Sequence, residues 1–219
     1  AGALFRLRLY SAFADSAHHL EVAPIDTIWV ERAHPRRRFP GLTVFGNNTF
    51  LAVRAGSDNA SVIDPDSRIL LFDASSRFIT PLSAVNTRAG SGITDIYIPT
   101  SIASFSNEDF ILGQNGLDVA YGALWLRREK SADFEGWLPK FDPSIPSVAG
   151  VDFIRPGRFL APEAVAVDRR RTEVFIADAG LDSIFKFNRN GAFRPESFGA
   201  ARTGGVLRRP TGLAFFELV

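Results

Sequence analysis

Short apolar runs that alternate with polar residues fill this chain, and clusters of Gly, Pro, Asn and Asp separate them. The clearest example is "VFIADAGLDSIFKFNRNGAF" (174–193): an apolar run, a polar turn with Asp178, Gly180 and Asp182, then a second alternating run. Period-two alternation bounded by turn residues predicts β-strands joined by tight turns. No long stretch carries the i, i+3, i+4, i+7 spacing and caps of an amphipathic helix. The pattern therefore predicts an all-β chain, with loops at 79–95 and 139–158.

The pattern repeats. "FPGLTVF" (39–45), "IPTSIASF" (98–105), "APEAVAVD" (161–168) and "RPTGLAFF" (209–216) each carry a Pro, a short step and an apolar run. Their prolines are Pro40, Pro99, Pro162 and Pro210. A strand-like run and a Gly-x-Asp turn follow the first three: Gly56 with Asp58, Gly116 with Asp118, and Gly180 with Asp182. A further strand also aligns between copies, Ile69 with Ile184, Phe72 with Phe187 and Phe78 with Phe193. Such a unit is a small antiparallel sheet that cannot cover both of its faces alone. Radial packing of several copies solves this, so the expected architecture is a β-propeller. The expected organisation is one propeller domain over 1–219, with blades starting near 40, 99, 162 and 210 and insertions at 73–98 and 127–160.

Residues 160–216 resemble an NHL repeat followed by the start of another. The resemblance rests on Pro162, Val165–Asp168, Val174–Asp178, Gly180, Ile184, Phe187, Gly191, Phe193 and Phe198–Gly199. Leu181-Asp182-Ser183 replaces the Asn-Asn-Arg expected in the turn, and the earlier units are degenerate. The resemblance implies an NHL-type propeller, of which about four blades are visible, in a ring that is typically six-bladed. Residues 1–39 then supply strands of a preceding or closing blade, through "ALFRLRLY" (3–10) and "DTIWVER" (26–32). The strand at 211–219 is apolar on both faces, so it should be paired and covered.

Composition narrows the chemistry. With no Cys among 219 residues, disulfides, thiolate zinc sites and cysteine nucleophiles are excluded. A net charge of +1 supplies no global field toward nucleic acid or anionic membrane. The 25 basic side chains include only three lysines, Lys130, Lys140 and Lys186. No apolar run is long enough to span a bilayer as a helix. The absence of Met leads to the expectation of a processed or partial chain, exported from the cytoplasm and peripheral or lipid-anchored through a missing N-terminus.

"ERAHPRRRFPG" (31–41) is the densest charge cluster, and Arg32, His34, Arg36, Arg37 and Arg38 form a candidate binding patch for anionic groups. Aromatics are not interleaved with it, which argues against RNA. A solvated loop between blades is the plainer reading. Asp58, Asp118, Asp178 and Asp182, beside Gly56, Gly116 and Gly180, suit turn-holding carboxylates that accept backbone N–H bonds. His18 and His19 have no third ligand nearby, and "DPDSR" (64–68) lacks a calcium-loop ladder, so no metal or cofactor is assigned. No nucleophile elbow or phosphate loop occurs, and no catalytic residue is assigned. Two function classes follow. One is a non-catalytic scaffold that binds a protein, glycan or further subunit. The other is a lactonase-like propeller hydrolase or lyase with acids around a central metal.

Overall fold

The computed structural model describes residues 2–6, 9–14, 17–22, 26–32, 34–46, 49–61, 63–73, 75, 77–82, 96–106, 108–115, 121–130, 135–141, 150, 152–199 and 207–215. All regular structure among them is β, in antiparallel pairs. Three four-stranded meanders dominate. The first holds β5 (Arg38–Phe45), β6 (Thr49–Ala55), β7 (Arg68–Phe72) and β8 (Phe78–Pro81). The second holds β9 (Pro99–Ser104), β10 (Asp109–Gln114), β11 (Ala123–Lys130) and β12 (Glu135–Pro139). The third holds β13 (Pro162–Asp168), β14 (Glu173–Asp178), β15 (Ser183–Asn188) and β16 (Phe193–Gly199). Ahead of them, β1 (Ala3–Arg6) pairs with β4 (Asp26–Val30), and β2 (Leu9–Ala14) with β3 (Ala17–Val22).

The sheets stack face to face, and strand alternation explains why. In β10, Phe110 and Leu112 point into a core shared with Leu51, Val53 and Ile69 of the first sheet. Ile111 points the other way, toward Val174, Ile176 and Phe187 of the third. All six residues of β10 are buried, so this strand is apolar on both faces. The first sheet turns Ala52, Leu70 and Phe72 toward Leu4 of β1, with Ile28 and Trp29 of β4 packed beside them. Burying side chains of this size is worth about 1.5–3 kcal/mol each. The edge strands β5, β9 and β13 adjoin one another where the sheets converge. This is the blade arrangement of a β-propeller.

Polar contacts clamp neighbouring sheets at both ends of these inner strands. Thr100 Oγ1 donates to the Pro162 carbonyl at 2.7 Å. At the other end, Thr43 and Ser104 hydroxyls meet at 3.2 Å, and Arg169 donates to the Ser104 carbonyl at 3.1 Å.

Facing and pairing also put the repeat in register. Phe72 stands opposite Phe78 as Phe187 stands opposite Phe193. Pro99 and Pro162 pair with Gln114 and Asp178, the last residues of β10 and β14. The matching position near the end of β6 is Arg54, and a wider bulge between Arg38 and Gly41 shifts Pro40 one residue out of line with Pro99 and Pro162. Gly56 and Gly180 each lie two residues beyond that closing position, whereas Gly116 and Asp118 fall outside the described residues. At both glycines the requirement is closeness. An added Cβ would lie 2.5 Å from Asp66 Oδ2 at Gly56 and 2.8 Å from Leu160 Cγ at Gly180.

Two expectations need correction. Part of the supposed insertion at 127–160 is regular blade, because β11 runs to Lys130 and β12 follows it. Phe153, Ile154 and Phe159 beyond it are buried core, not open loop. The C-terminal segment also differs. Residues 211–215 join no sheet, and residues 216–219 lie outside the described set. Phe215 instead lays its ring 4.8 Å from Phe175, and the Arg209 N–H donates to Asp182 Oδ1 at 2.8 Å. Within the described part of this segment Phe215 thus makes a ring contact without joining a sheet, and it stays 42% exposed.

Asp178 is the strongest single latch. It is fully buried. Its Oδ1 accepts the N–H groups of Ala161, Gly180 and Leu181 at 3.0, 2.9 and 3.1 Å, and its Oδ2 accepts that of Leu160 at 2.7 Å. Replacing it by Ala strands these donors, and the expected loss is roughly 3–5 kcal/mol at about 1–3 kcal/mol per buried orphan. Asp178→Asn, which keeps one acceptor oxygen, should lose less. Urea denaturation of both variants measures this, and an unchanged midpoint for Asp178→Ala would remove the latch from the account.

Candidate functional site

The basic segment 31–38 does not form a uniform cationic face. Its central arginine turns inward. Arg37 is only 4% exposed. Its Nε donates to Asp66 Oδ1 at 2.7 Å and its Nη1 to Asp64 Oδ2 at 2.8 Å, while Nη2 reaches the Asp64 carbonyl at 3.0 Å. Arg54, equally buried, donates to Glu31 Oε1 at 3.0 Å, to Asp64 Oδ1 at 2.7 Å, and to the Pro65 and Asp66 carbonyls. The Trp29 indole N–H also donates to Glu31. Two arginines and three carboxylates thus interlock, with the Asp64 side chain still 44% exposed and Arg68 3.7 Å from it as a third cation. A buried guanidinium survives only with such matching, since an unpaired buried charge is very costly.

The local chain explains why these groups meet. Glu31 follows β4 and Arg37 precedes β5. The Glu31 N–H donates to the Gly2 carbonyl and the Gly2 N–H to the Arg37 carbonyl, tying β1 to both. Asp64 and Asp66 come from the long β6–β7 connection. That connection folds back on itself, with the Asp58 N–H on Asp66 Oδ2 at 2.9 Å and the Ser67 N–H on Asn59 Oδ1 at 2.7 Å. In the second and third sheets the closing position holds Gln114 and Asp178, whose side-chain oxygens accept N–H groups of the segment leading into the inner strand of the same sheet. In the first sheet the polarity reverses: Arg54 donates there instead.

Of the remaining patch residues, Arg32, His34, Arg36 and Arg38 are exposed. The His34 ring nitrogen lies 3.9 Å from Asp64. Pro35 and Arg36 form the apex of a turn closed by the Arg37 N–H on the His34 carbonyl at 3.1 Å. Beside this turn is an open cleft of about 240 Å³. His34, Arg36, Ser57 and Asp58 form its sides, and the Arg37–Asp66 pair forms its base. Among the described residues Arg36 has no ion-pair partner.

The other assigned residues lie elsewhere. Asp178 ends β14, and Gly180 and Asp182 lie in the β14–β15 turn, where Asp182 has a φ of 50°. Among the described residues no three His, Asp or Glu side chains are grouped so as to hold a metal ion. The sequence signal for the charge network was half visible: the basic half is contiguous, but its acids are split between Glu31 and the Asp64–Asp66 segment, and Arg54 sits inside a strand.

A second perturbed group sits between the second and third sheets. Lys140 Nζ lies 3.9 Å from the Trp125 ring centroid, donates to the Arg189 carbonyl at 2.8 Å and stands 3.9 Å from Asp109. Burial dominates over the Asp109 charge and lowers its pKa to about 8.

The network predicts acid sensitivity. Burial opposes the charge of Asp64, but hydrogen bonds from Arg54 and Arg37 and their positive charges prevail and hold its pKa down at about 2. Asp66 is lowered by Arg37 and the Asp58 N–H against the same opposing burial. Depressed carboxylate pKa values contribute stability above the unfolded value near 4, which is lost as pH falls through the folded values. Thermal unfolding midpoints should therefore be level between about pH 5 and 7 and fall between about pH 4 and 2. Arg54→Met leaves Glu31 and Asp64 short of a partner and should cost about 3–5 kcal/mol at neutral pH. It should also flatten the acid limb, and an unaltered limb would show that the network does not govern it.

No family model matches the chain, and no curated protein matches it. Solved structures do. A chain of the nidogen/laminin complex aligns with a TM-score of 0.51 at 14% identity, covering 88% of this chain and 57% of that one. A luciferin-regenerating enzyme aligns with a TM-score of 0.47 at 14% identity, covering 85% and 53%. A functionally unknown protein from Desulfotomaculum acetoxidans DSM 771 gives 0.38 at 11%, covering 94% and 66%. The chain spans little more than half the length of the first two. The first likeness supports the β-propeller fold and extends no further than the fold.

Proposed function

We propose that this chain is a non-catalytic propeller scaffold of NHL type that binds a protein or glycan partner outside the cytoplasm, through the exposed part of the 31–38 segment. One observation carries the reading: the placement of unneutralised charge. Along the converging inner strands the middle positions are neutral, among them Leu42, Thr43, Val44, Ser101, Ala103, Ala164 and Ala166. The acids near the ends of β13 are Glu163 and Asp168, and Asp168 already accepts the Arg171 N–H at 3.0 Å. The exposed cations of the 31–38 segment, Arg32, Arg36 and Arg38 with His34 beside Asp64, stand instead over the paired arginine–carboxylate network. Loops on a rigid sheet scaffold are where propellers carry recognition. Both charge signs beneath the loop, and the net charge of +1, weigh against nucleic acid.

Binding to immobilised peptide and glycan arrays tests this. Saturable, salt-sensitive binding is expected, weakened at least about tenfold in the Arg32→Ala, Arg36→Ala, Arg38→Ala triple variant. Calcium-dependent hydrolysis of a lactone by the unmodified chain would overturn the reading in favour of a propeller hydrolase.

A further inference from the structure

We infer that the cleft beside the His34–Arg37 turn is a carboxylate pocket for an acidic peptide segment of a protein partner, with Arg36 as its principal anion-binding group and His34 beside it. This deepens the scaffold reading above and rests on it.

Size sets the first limit. At about 240 Å³ the cleft is below the usual range for drug-sized ligands and cofactors, about 300–1,000 Å³. It suits one or two side chains of an extended peptide.

Charge sets the second. The Arg37–Asp66 pair in the base is internally matched at 2.7 Å and offers no net charge. Arg36 is exposed and has no ion-pair partner among the described residues. Its planar fork matches a carboxylate with two parallel hydrogen bonds. Asp58 also lines the cleft, and its Oδ1 accepts the Ala60 N–H at 3.3 Å. A dianionic phosphate beside Arg36 would meet this carboxylate. A single carboxylate on a peptide meets less repulsion, and the peptide's own N–H groups can donate to Asp58. The pocket therefore selects Asp or Glu side chains over phosphorylated ones.

Preorganisation is the third element. Pro35 occupies the second position of the turn, where its fixed φ suits the geometry. Arg37 closes the turn and is anchored by Asp64 and Asp66. The backbone carrying Arg36 is thus held before any ligand arrives, which lowers the ordering cost of binding.

The experiment is fluorescence anisotropy on the intact chain with a labelled glutamate-rich peptide, its glutamine counterpart and its phosphoserine counterpart. The glutamate peptide should bind, and the other two should bind at least about tenfold more weakly. Arg36→Ala should weaken glutamate-peptide binding about tenfold or more, Arg36→Lys less, and His34→Gln to an intermediate degree. Arg208→Ala, an exposed arginine outside the 31–38 segment and the cleft, should change it less than about threefold. All three positions are exposed, so melting temperatures should not move. No glutamate-peptide binding, equal binding of the glutamine peptide, tighter binding of the phosphoserine peptide, or an indifferent Arg36→Ala would each overturn the pocket. If array ligands still bind while Arg36→Ala is indifferent, the pocket falls and the scaffold stands. Calcium-dependent lactone hydrolysis removes the scaffold itself.

Discussion

Among the described residues the first and second four-stranded sheets are apolar on both faces, and that condition dictates the rest of the architecture. β10 is the extreme case, with Phe110 and Leu112 committed to one neighbour and Ile111 to the other. A sheet of this kind exposes a hydrophobic face wherever a neighbour is missing. Stacking is therefore a requirement of the sequence. The aromatic side chains make the contacts specific. Trp125 stacks on Phe105 at 5.2 Å and meets Phe141 and Phe153 edge-on at 5.5 Å each. Its indole N–H is satisfied by Asp109 at 3.0 Å, so a large amphipathic ring is buried without an orphaned donor.

Stacking fixes where polar chemistry can lie. With both faces committed to the core, polar groups are left to the strand ends and the connections. One position near the end of each second strand recurs in this role, as Arg54, Gln114 and Asp178. Each ties its strand to a neighbouring connection, the latter two by accepting backbone N–H bonds and Arg54 by donating to carbonyls and carboxylates. The exchange of an acceptor for an arginine in the first sheet recruits Glu31, Asp64 and Asp66 and creates the charge network. The cleft above that network is thus a local consequence of one change of polarity in a repeated latch. The network holds the turn that presents Arg36, so stability and recognition share residues there.

The third sheet was the most legible part of the chain, because its turns are short and carry their own chemistry. Asn188 accepts the N–H groups of Asn190 and Ala192 at 3.0 Å each. Gly191 takes a φ of 72° where a Cβ would lie 2.7 Å from Gly150. Four-residue turns keep the strand spacing regular, so Phe187 and Phe193 align with Phe72 and Phe78 by eye. The second sheet was harder to read. Its β11 ends in the charged run Arg127–Lys130, which mimics a loop but is a strand leaving the core. The segment around Phe153 and Phe159 looked like a Pro-rich connection, yet its aromatics fill the space between sheets.

By itself the sequence determined the all-β class, the repeat and the alternation of each strand, because these are local properties of side-chain period and turn chemistry. It also determined which residue types were available near 31–38. Only the tertiary structure decided which of those arginines is free to act. Arg36 and Arg37 are neighbours of identical chemistry, and nothing in their local pattern separates them. The difference arises because Asp64 and Asp66, brought back by a long connection between two strands, capture Arg37 from below and leave Arg36 facing outward. Electrostatic pairing acts through space, so its outcome could not be read along the chain.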